Sequence, residues 1–134
     1  MSASIPPEAY GLLDDPNFAH VVTLMEDGTP HVTPVWIDRD GDIPVFNTAK
    51  GRTKHRNLER DPRISFSVLA ADNPYTYLQV RGRAEFVEEG ADDHIDAMAK
   101  KYMGVDTYPL HNPQEQRILV RIVPDAVQFT PPRG

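Results

Sequence analysis

The sequence predicts one mostly β domain of the α+β class, a closed or nearly closed antiparallel barrel that spans all 134 residues and carries few short helices. Three observations predict it. About six segments are rich in β-branched and aromatic residues and are separated by turn-forming pairs such as Asp27-Gly28 and Asn73-Pro74. Only one stretch, residues 92–103, keeps apolar side chains at sustained helical spacing. No repeat, low-complexity tract or linker divides the chain. With so little helix to cover a sheet, closure is what removes strand edges from solvent.

The elements follow in order. Residues 7–13 make a short helical start, and 18–25 read as a strand from their β-branched content. Residues 26–29 supply a hairpin turn, because Asp-Gly accommodates positive φ, and the strand returns over 31–38. If Asp27-Gly28 is a two-residue turn, His20 pairs opposite Val35. A second turn at 39–42 leads into a third strand over 43–48, which makes the first half an antiparallel meander. Residues 50–60 form a short helix that stops at Asp61-Pro62, since the residue before proline avoids the helical region. Residues 64–68 alternate as a strand, and a long strand runs from Tyr75 through Gly82 to Val87. In the helix over 92–103, Ile95, Met98, Ala99 and Tyr102 form the apolar face. Acids at its start and Lys100 and Lys101 near its end suit the dipole, and Gly104 supplies the C-cap. Residues 117–123 and 126–129 close the sheet around a bend at Pro124-Asp125.

Composition removes whole classes of function. The chain has no cysteine, which excludes disulfides, thiolate ligands and thiol nucleophiles, so any redox chemistry must come from a bound cofactor. The first residues show neither a basic start nor an apolar run, and nowhere do about eighteen apolar residues run together. A cytoplasmic protein without a membrane partner is expected. The net charge of −6 argues against nucleic acid as a partner, because that affinity is mostly phosphate neutralisation. The charge is unevenly spread, however. Between Lys50 and Arg63 six basic residues face two acidic ones, a local +4 in an acidic chain, and a compact basic island suits a small anionic ligand.

Three segments could carry chemistry. In residues 47–58 a strand ends in Asn47 and Thr48, Gly51 lets the backbone turn, and a helix begins among Lys50, Arg52 and Lys54. A helix N-terminus with cations around it binds phosphate. The alternative is a solvated helix, weakened by Leu58 being its only strongly apolar residue, so that some other restraint is needed. In residues 31–38, Pro34 removes a ladder donor and implies an edge strand with backbone groups free for a planar ring; the simpler account makes Trp36 a core residue. Tyr75 and Tyr77 share one strand face, where they could stack on a ring or fill an interface. The five histidines, His20, His31, His55, His94 and His111, show no metal-ligand spacing, and Ser65 and Ser67 lack a nucleophile-elbow context. No catalytic side chain and no metal ligand is assigned.

Together these segments resemble the pyridoxamine-5'-phosphate-oxidase-like split barrels, and within them the F420-dependent (deazaflavin-dependent) oxidoreductases. The resemblance runs through Asn17-Phe18-Ala19, residues 27–36 and 47–63, and Val80-Arg81-Gly82-Arg83-Ala84-Glu85. It implies a six-stranded antiparallel split β-barrel of the FMN-binding type, paired as a homodimer with cofactor sites across the interface. It further implies that Val35, Phe46, Asn47 and Thr48 line the ring and linker, with His31 among the cofactor-binding residues, and that Lys50, Arg52 and Lys54 hold the phosphate. Tyr75 and Tyr77 match positions that approach the ring from the partner subunit. Thr53, also in the cofactor-binding set, stands where the vitamin-forming oxidases carry a second phosphate-binding arginine. Their C-terminal substrate-binding segment is absent too, which argues against pyridoxamine phosphate oxidation. F420 carries a phosphodiester and an acidic oligoglutamate tail, which suits a site with surplus positive charge, Arg56 or Arg60 included.

The implied activity is hydride transfer between reduced F420 and an organic small-molecule acceptor such as an enone, a quinone or a tetrapyrrole. Such transfer needs near-attack positioning and exclusion of water rather than a side-chain acid, with water, Tyr77 or His31 as the proton source. An FMN-binding oxidase or reductase of the same fold, and a non-catalytic flavin- or haem-binding module, are the alternatives.

Overall fold

The computed structural model describes residues 3–132. A 3-10 turn, Pro7–Ala9, runs into α1 (Tyr10–Asp14). Two hairpins follow, the first of β1 (Phe18–Leu24) and β2 (Pro30–Trp36), the second of β3 (Asp38–Asp40) and β4 (Ile43–Ala49). After α2 (Thr53–Arg60) come β5 (Arg63–Ala70) and β6 (Asn73–Val87), then α3 (Ala91–Met103) and β7 (Arg117–Thr130). All strands join one antiparallel sheet in the order β2-β1-β5-β6-β7-β4-β3. β2 and β4 stand far apart in that order, yet Val35 and Trp36 line the same cleft as Asn47 and Thr48. The sheet has therefore rolled until its two margins face each other, which makes the molecule a split β-barrel.

Alternation fills the barrel. Val21, Phe46, Phe66, Leu78, Val80, Val120 and Ile122 point inward and are at most 2% exposed, and Ile5, Leu12 and Leu13 plug one end. Burial of each large side chain contributes about 1.5–3 kcal/mol. At the β6–β7 crossing Gly82 lies opposite Pro124 while Arg81 lies opposite Ala126, which leaves Asp125 as the extra residue of a bulge. A Cβ on Gly82 would stand 2.1 Å from the Val123 carbonyl oxygen, so only glycine lets the two backbones approach this closely.

Five expectations need correction. Seven strands form, not six, and the first half is no meander, because the chain leaves one margin at Trp36 and joins the other at Asp38 through the single residue Ile37. Ile37 is fully buried. Its N–H donates to the Tyr102 hydroxyl at 2.9 Å, and its carbonyl accepts from Lys101 Nζ at 2.7 Å, so two side chains of α3 stand where a neighbouring strand would be. The same hydroxyl donates to the Asn17 carbonyl at 2.5 Å.

The first hairpin has a three-residue loop, Glu26-Asp27-Gly28, rather than a two-residue one. Gly28 N–H closes a turn onto the Met25 carbonyl at 2.9 Å with φ of 88°, and Asp27 Oδ1 accepts from both the N–H and the hydroxyl of Thr29. His20 consequently faces Pro34, and Val35 faces Ala19. The middle helix begins at Thr53 instead of 50, since Gly51 at φ of 86° and the extended Arg52 lie outside helical geometry. Finally, 117–130 is one strand that bends at its bulge rather than two.

Candidate functional site

The site is built at the split. β4 ends at Ala49, the chain turns through Lys50 and Gly51, and Arg52 caps α2 without a side-chain hydrogen bond. Polar side chains supply the restraint that α2 lacks in apolar ones. His55 is buried, packs 5.1 Å from the Phe86 ring, and accepts from Gly51 N–H at 3.0 Å. Asn57 is buried and donates to Thr23 Oγ1 at 3.0 Å, while Arg60 donates to Asn57 Oδ1 at 2.8 Å and to the Leu24 carbonyl at 3.2 Å. These bonds fix the helix start relative to β1 and the Gly51 turn.

The cations that the turn presents differ in their partners. Lys50 is exposed and pairs with Glu88, outside the cleft. Arg52 Nη2 donates to both Glu115 oxygens, at 2.9 and 3.1 Å, and this bond holds the Glu115 carboxyl below its usual range. Lys54 reaches across to β2 and donates to Thr33 Oγ1 at 2.7 Å. Burial first, and the charge of Arg52 second, push its ammonium below the usual lysine range. Among the described residues no carboxylate lies within ion-pair distance of Lys54.

Between β2 and β4 lies a cleft of about 230 Å³, walled by Val35, Asn47, Thr48, Arg52 and Lys54, with Pro34, Trp36, Ile95, Tyr108 and Arg117 completing it. Five of the residues assigned to cofactor binding, together with Pro34 and Trp36, are thus brought together. Asn47 is held in one orientation: its amide nitrogen donates to the Ala91 carbonyl at 2.8 Å and to His94 Nδ1 at 3.2 Å, leaving Oδ1 to accept from Arg117 Nη1 at 3.3 Å. His94 Nε2 then donates to Asp38 Oδ2 at 3.1 Å. Burial pushes the Asp38 carboxyl up, but the His94 bond, the Arg39 N–H and the charge of Lys101 outweigh it and leave it below the usual range.

The other residues assigned to cofactor binding do not line the cleft. Phe46 alternates with Asn47 and is buried in the core behind the cleft wall. His31 shares the β2 face of Thr33 and Val35, and its Nδ1 is buried without a hydrogen-bond partner. Thr53 is the half-buried first residue of α2. Tyr75 is 77% exposed, Tyr77 OH accepts from Gln128 at 3.3 Å, and neither lines the cleft. Trp36 is half-buried at the cleft wall rather than in the core, stacked 5.2 Å from Tyr102 with Tyr108 edge-on at 6.0 Å. Pro34 does lie on a terminal strand.

Arg117 and Tyr108 escape sequence reasoning, because the irregular segment 104–116 brings Tyr108 over a position that strand alternation alone would leave outside. A larger depression of about 600 Å³ is walled by four carboxylates, Glu88, Asp92, Asp93 and Glu115, against the single cation Arg117, and its net negative charge repels anions. Charge rather than size therefore selects the smaller cleft. Among the described residues no group of three or more His, Asp or Glu is placed to hold a metal ion, and no helix is long and apolar enough to cross a membrane.

A rolled antiparallel sheet with a cation-lined cleft at its split defines a split β-barrel. The chain belongs to the pyridoxamine 5'-phosphate oxidase family, whose model matches residues 5–131. Among solved structures it is similar to one described as an F420 reductase, at 31% identity and a TM-score of 0.79, covering 92% of this chain and 98% of that one. It is also similar to a conserved hypothetical protein from Mycobacterium tuberculosis, at 25% identity and a TM-score of 0.74, covering 96% and 85% respectively. A protein of unknown function from Agrobacterium tumefaciens strain C58, at 24% identity and a TM-score of 0.74, shares the fold over 94% of this chain and 58% of its own.

Proposed function

We propose that the protein is an F420-dependent oxidoreductase that passes a hydride between the reduced deazaflavin and an organic acceptor. The observation that carries this reading is Lys54, a half-buried cation in the cleft whose hydrogen bond goes to a neutral hydroxyl. A desolvated ammonium without a counter-ion is costly unless an anion arrives to join it. The residues fit a flat ring with a phosphate-bearing tail. Arg52, Thr53 and Lys54 would hold the phosphate; Val35, Asn47 and Thr48 would line the ring and linker, with Phe46 stiffening the wall from behind. Arg56, which is exposed, is available to an acidic tail, and Lys50 would join it by exchanging its Glu88 partner for the tail. His31 Nδ1, buried and unpaired, is a polar atom for which a bound group would supply the missing partner. When bound, the deazaflavin supplies the hydride; the chain's own task is to orient the ring and exclude water.

One chain supplies only part of the enclosure, because drug-sized ligands occupy pockets of about 300–1,000 Å³ and this cleft holds about 230 Å³. We read the protein as a homodimer whose second copy covers the ring with Tyr75 and Tyr77, the exposed tyrosine being the one that needs a partner.

Titration of the protein with F420 and with FMN tests the cofactor, with tighter F420 binding expected; comparable or tighter FMN binding overturns the assignment. Replacing both Arg52 and Lys54 by Ala should weaken F420 binding by at least about 1.5 kcal/mol, the scale of hydrogen bonds to charged groups, with the fold intact. Loss of reduced-F420 absorbance with quinones, enones or tetrapyrroles then separates an enzyme from a storage or sensing module.

A further inference from the structure

Arg117 opens β7 opposite Ala49, and its side chain is only 7% exposed. A guanidinium has five N–H donors and, when buried, needs a counter-charge and hydrogen bonds. Arg117 has these only in part. Nη1 donates to Asn47 Oδ1 at 3.3 Å, the Tyr108 ring centre lies 5.0 Å from the guanidinium carbon, and the nearest carboxylate, Glu115 Oε2, stands 3.7 Å from Nη2. That same carboxylate receives both bonds from Arg52. One carboxylate is thus held between two guanidiniums that come from separate elements and line one cleft.

Glu115 belongs to the irregular segment 104–116, which crosses from α3 to β7 and is tied down by other bonds. Tyr108 N–H and His111 both engage Asp96 Oδ1 at 2.8 Å, and Lys50 N–H donates to the Gln116 carbonyl at 2.9 Å. The segment does not depend on Glu115 for its course. The Arg52–Glu115 pair is partly exposed, at 48% and 28%, and pairs of that kind add little stability. Two guanidiniums and one carboxylate also leave a net positive charge, which an incoming oxyanion could balance while the already partly exposed Glu115 moves into water.

We propose that Arg52 and Arg117 form a two-arginine clamp for an oxyanion group of the ligand, a phosphate or a carboxylate, and that Glu115 occupies the clamp until the ligand displaces it. Arg117 is then a ligand-binding residue and Glu115 an internal competitor. The inference rests on the cleft being the cofactor site, and its test is chosen so that the two can fail separately.

Binding of inorganic pyrophosphate and of F420 is measured on the wild type, Glu115→Gln, Arg117→Gln and the double variant, alongside melting without ligand. Glu115→Gln should bind both probes about tenfold tighter and Arg117→Gln about tenfold weaker, the effect of one charge-assisted bond, and the double variant should lose the gain. Should Arg117→Gln fail to fold, Glu115→Gln decides alone. Unchanged or weaker pyrophosphate binding by Glu115→Gln overturns the clamp, because a carboxylate that only secures the segment gives that result. If F420 does not bind the wild type while pyrophosphate shows the expected order, the cofactor assignment falls and the clamp stands. If F420 binds the wild type and both single variants equally, the clamp falls and the cofactor assignment stands.

Discussion

Replacing Lys54 by methionine should move stability and ligand affinity in opposite directions. In the folded protein the ammonium is half-buried, repelled by Arg52 and bonded to the neutral Thr33 hydroxyl. Methionine keeps most of the stem's packing and deletes the charge. The lost hydrogen bond costs about 1 kcal/mol, and relief of a partly desolvated, unpaired charge returns a similar or larger amount. Stability should therefore stay level or rise by up to about 1 kcal/mol, a shift of roughly 0 to +5 °C in Tm for a domain of this size. Affinity for F420 should fall by about 1.5–3 kcal/mol, or roughly 10- to 150-fold.

Thermal melting without ligand and fluorescence titration with F420, run on the same preparations, give the two readouts. A variant that melts lower by the equivalent of more than about 1 kcal/mol yet binds F420 as before would make Lys54 a strut between α2 and β2, and the reasoning would fail. The pH dependence has a definite sign. Because the folded-state pKa lies below 10.5, the unfolded chain keeps the proton longer, so wild-type stability rises with pH between the folded value and 10.5. An oxyanion draws the proton back, so F420 affinity falls as pH climbs through the lowered pKa, and Lys54→Met should lack that limb.

Other perturbations test the scaffold. Gly82→Ala forces a Cβ against backbone at the β6–β7 bulge and should cost about 2–3 kcal/mol in urea unfolding, because the obstructing atom is a carbonyl oxygen rather than a flexible side chain. Tyr102→Phe removes the hydroxyl that joins Ile37 to Asn17 and should cost about 1–3 kcal/mol, with faster amide exchange at Ile37. Asp38 has its pKa depressed below 3.8, so its stabilising contribution is present above that value and lost as pH falls through the folded pKa; urea midpoints measured from about pH 6 to 2.5 should drop less for Asp38→Asn than for the wild type. Asn57→Ala should cost about 1–2 kcal/mol and weaken cofactor binding through the displaced helix start.

Local chemistry made much of this molecule legible in advance. The acids, lysines and glycine around α3 mark its limits to within a residue, and Gly104 takes the left-handed conformation at φ of 73°. Pro34 places β2 on an edge, and the basic turn after Thr48 leads to the cleft. Properties that depend on distant partners were hidden. Asp27-Gly28 is compatible with both two- and three-residue loops, and the choice shifts every pair along the hairpin. Ile37 looks like any strand residue; its role as the bridge between margins depends on Lys101 and Tyr102, more than sixty positions away. Asn47 and Arg117 are seventy positions apart and meet only because β4 pairs with β7. The burial of Phe46 beside exposed-looking polar neighbours follows from both faces of β4 being covered, a situation that blurs alternation.

The arrangement of β2 also governs how the molecule behaves in a crowd of its own kind. Met25 N–H bonds to the Thr29 carbonyl, which sets the odd-numbered residues of β2 toward β1 and turns the even-numbered ones outward. Two of those outward positions are Pro30 and Pro34, so only Val32 and Trp36 offer an N–H along that rim. A stranger's backbone docking there would find one donor in every four residues, too sparse for a continuous ladder, and the opposite rim, β3, is three residues long. The split in the barrel is thereby guarded against growth into fibrils.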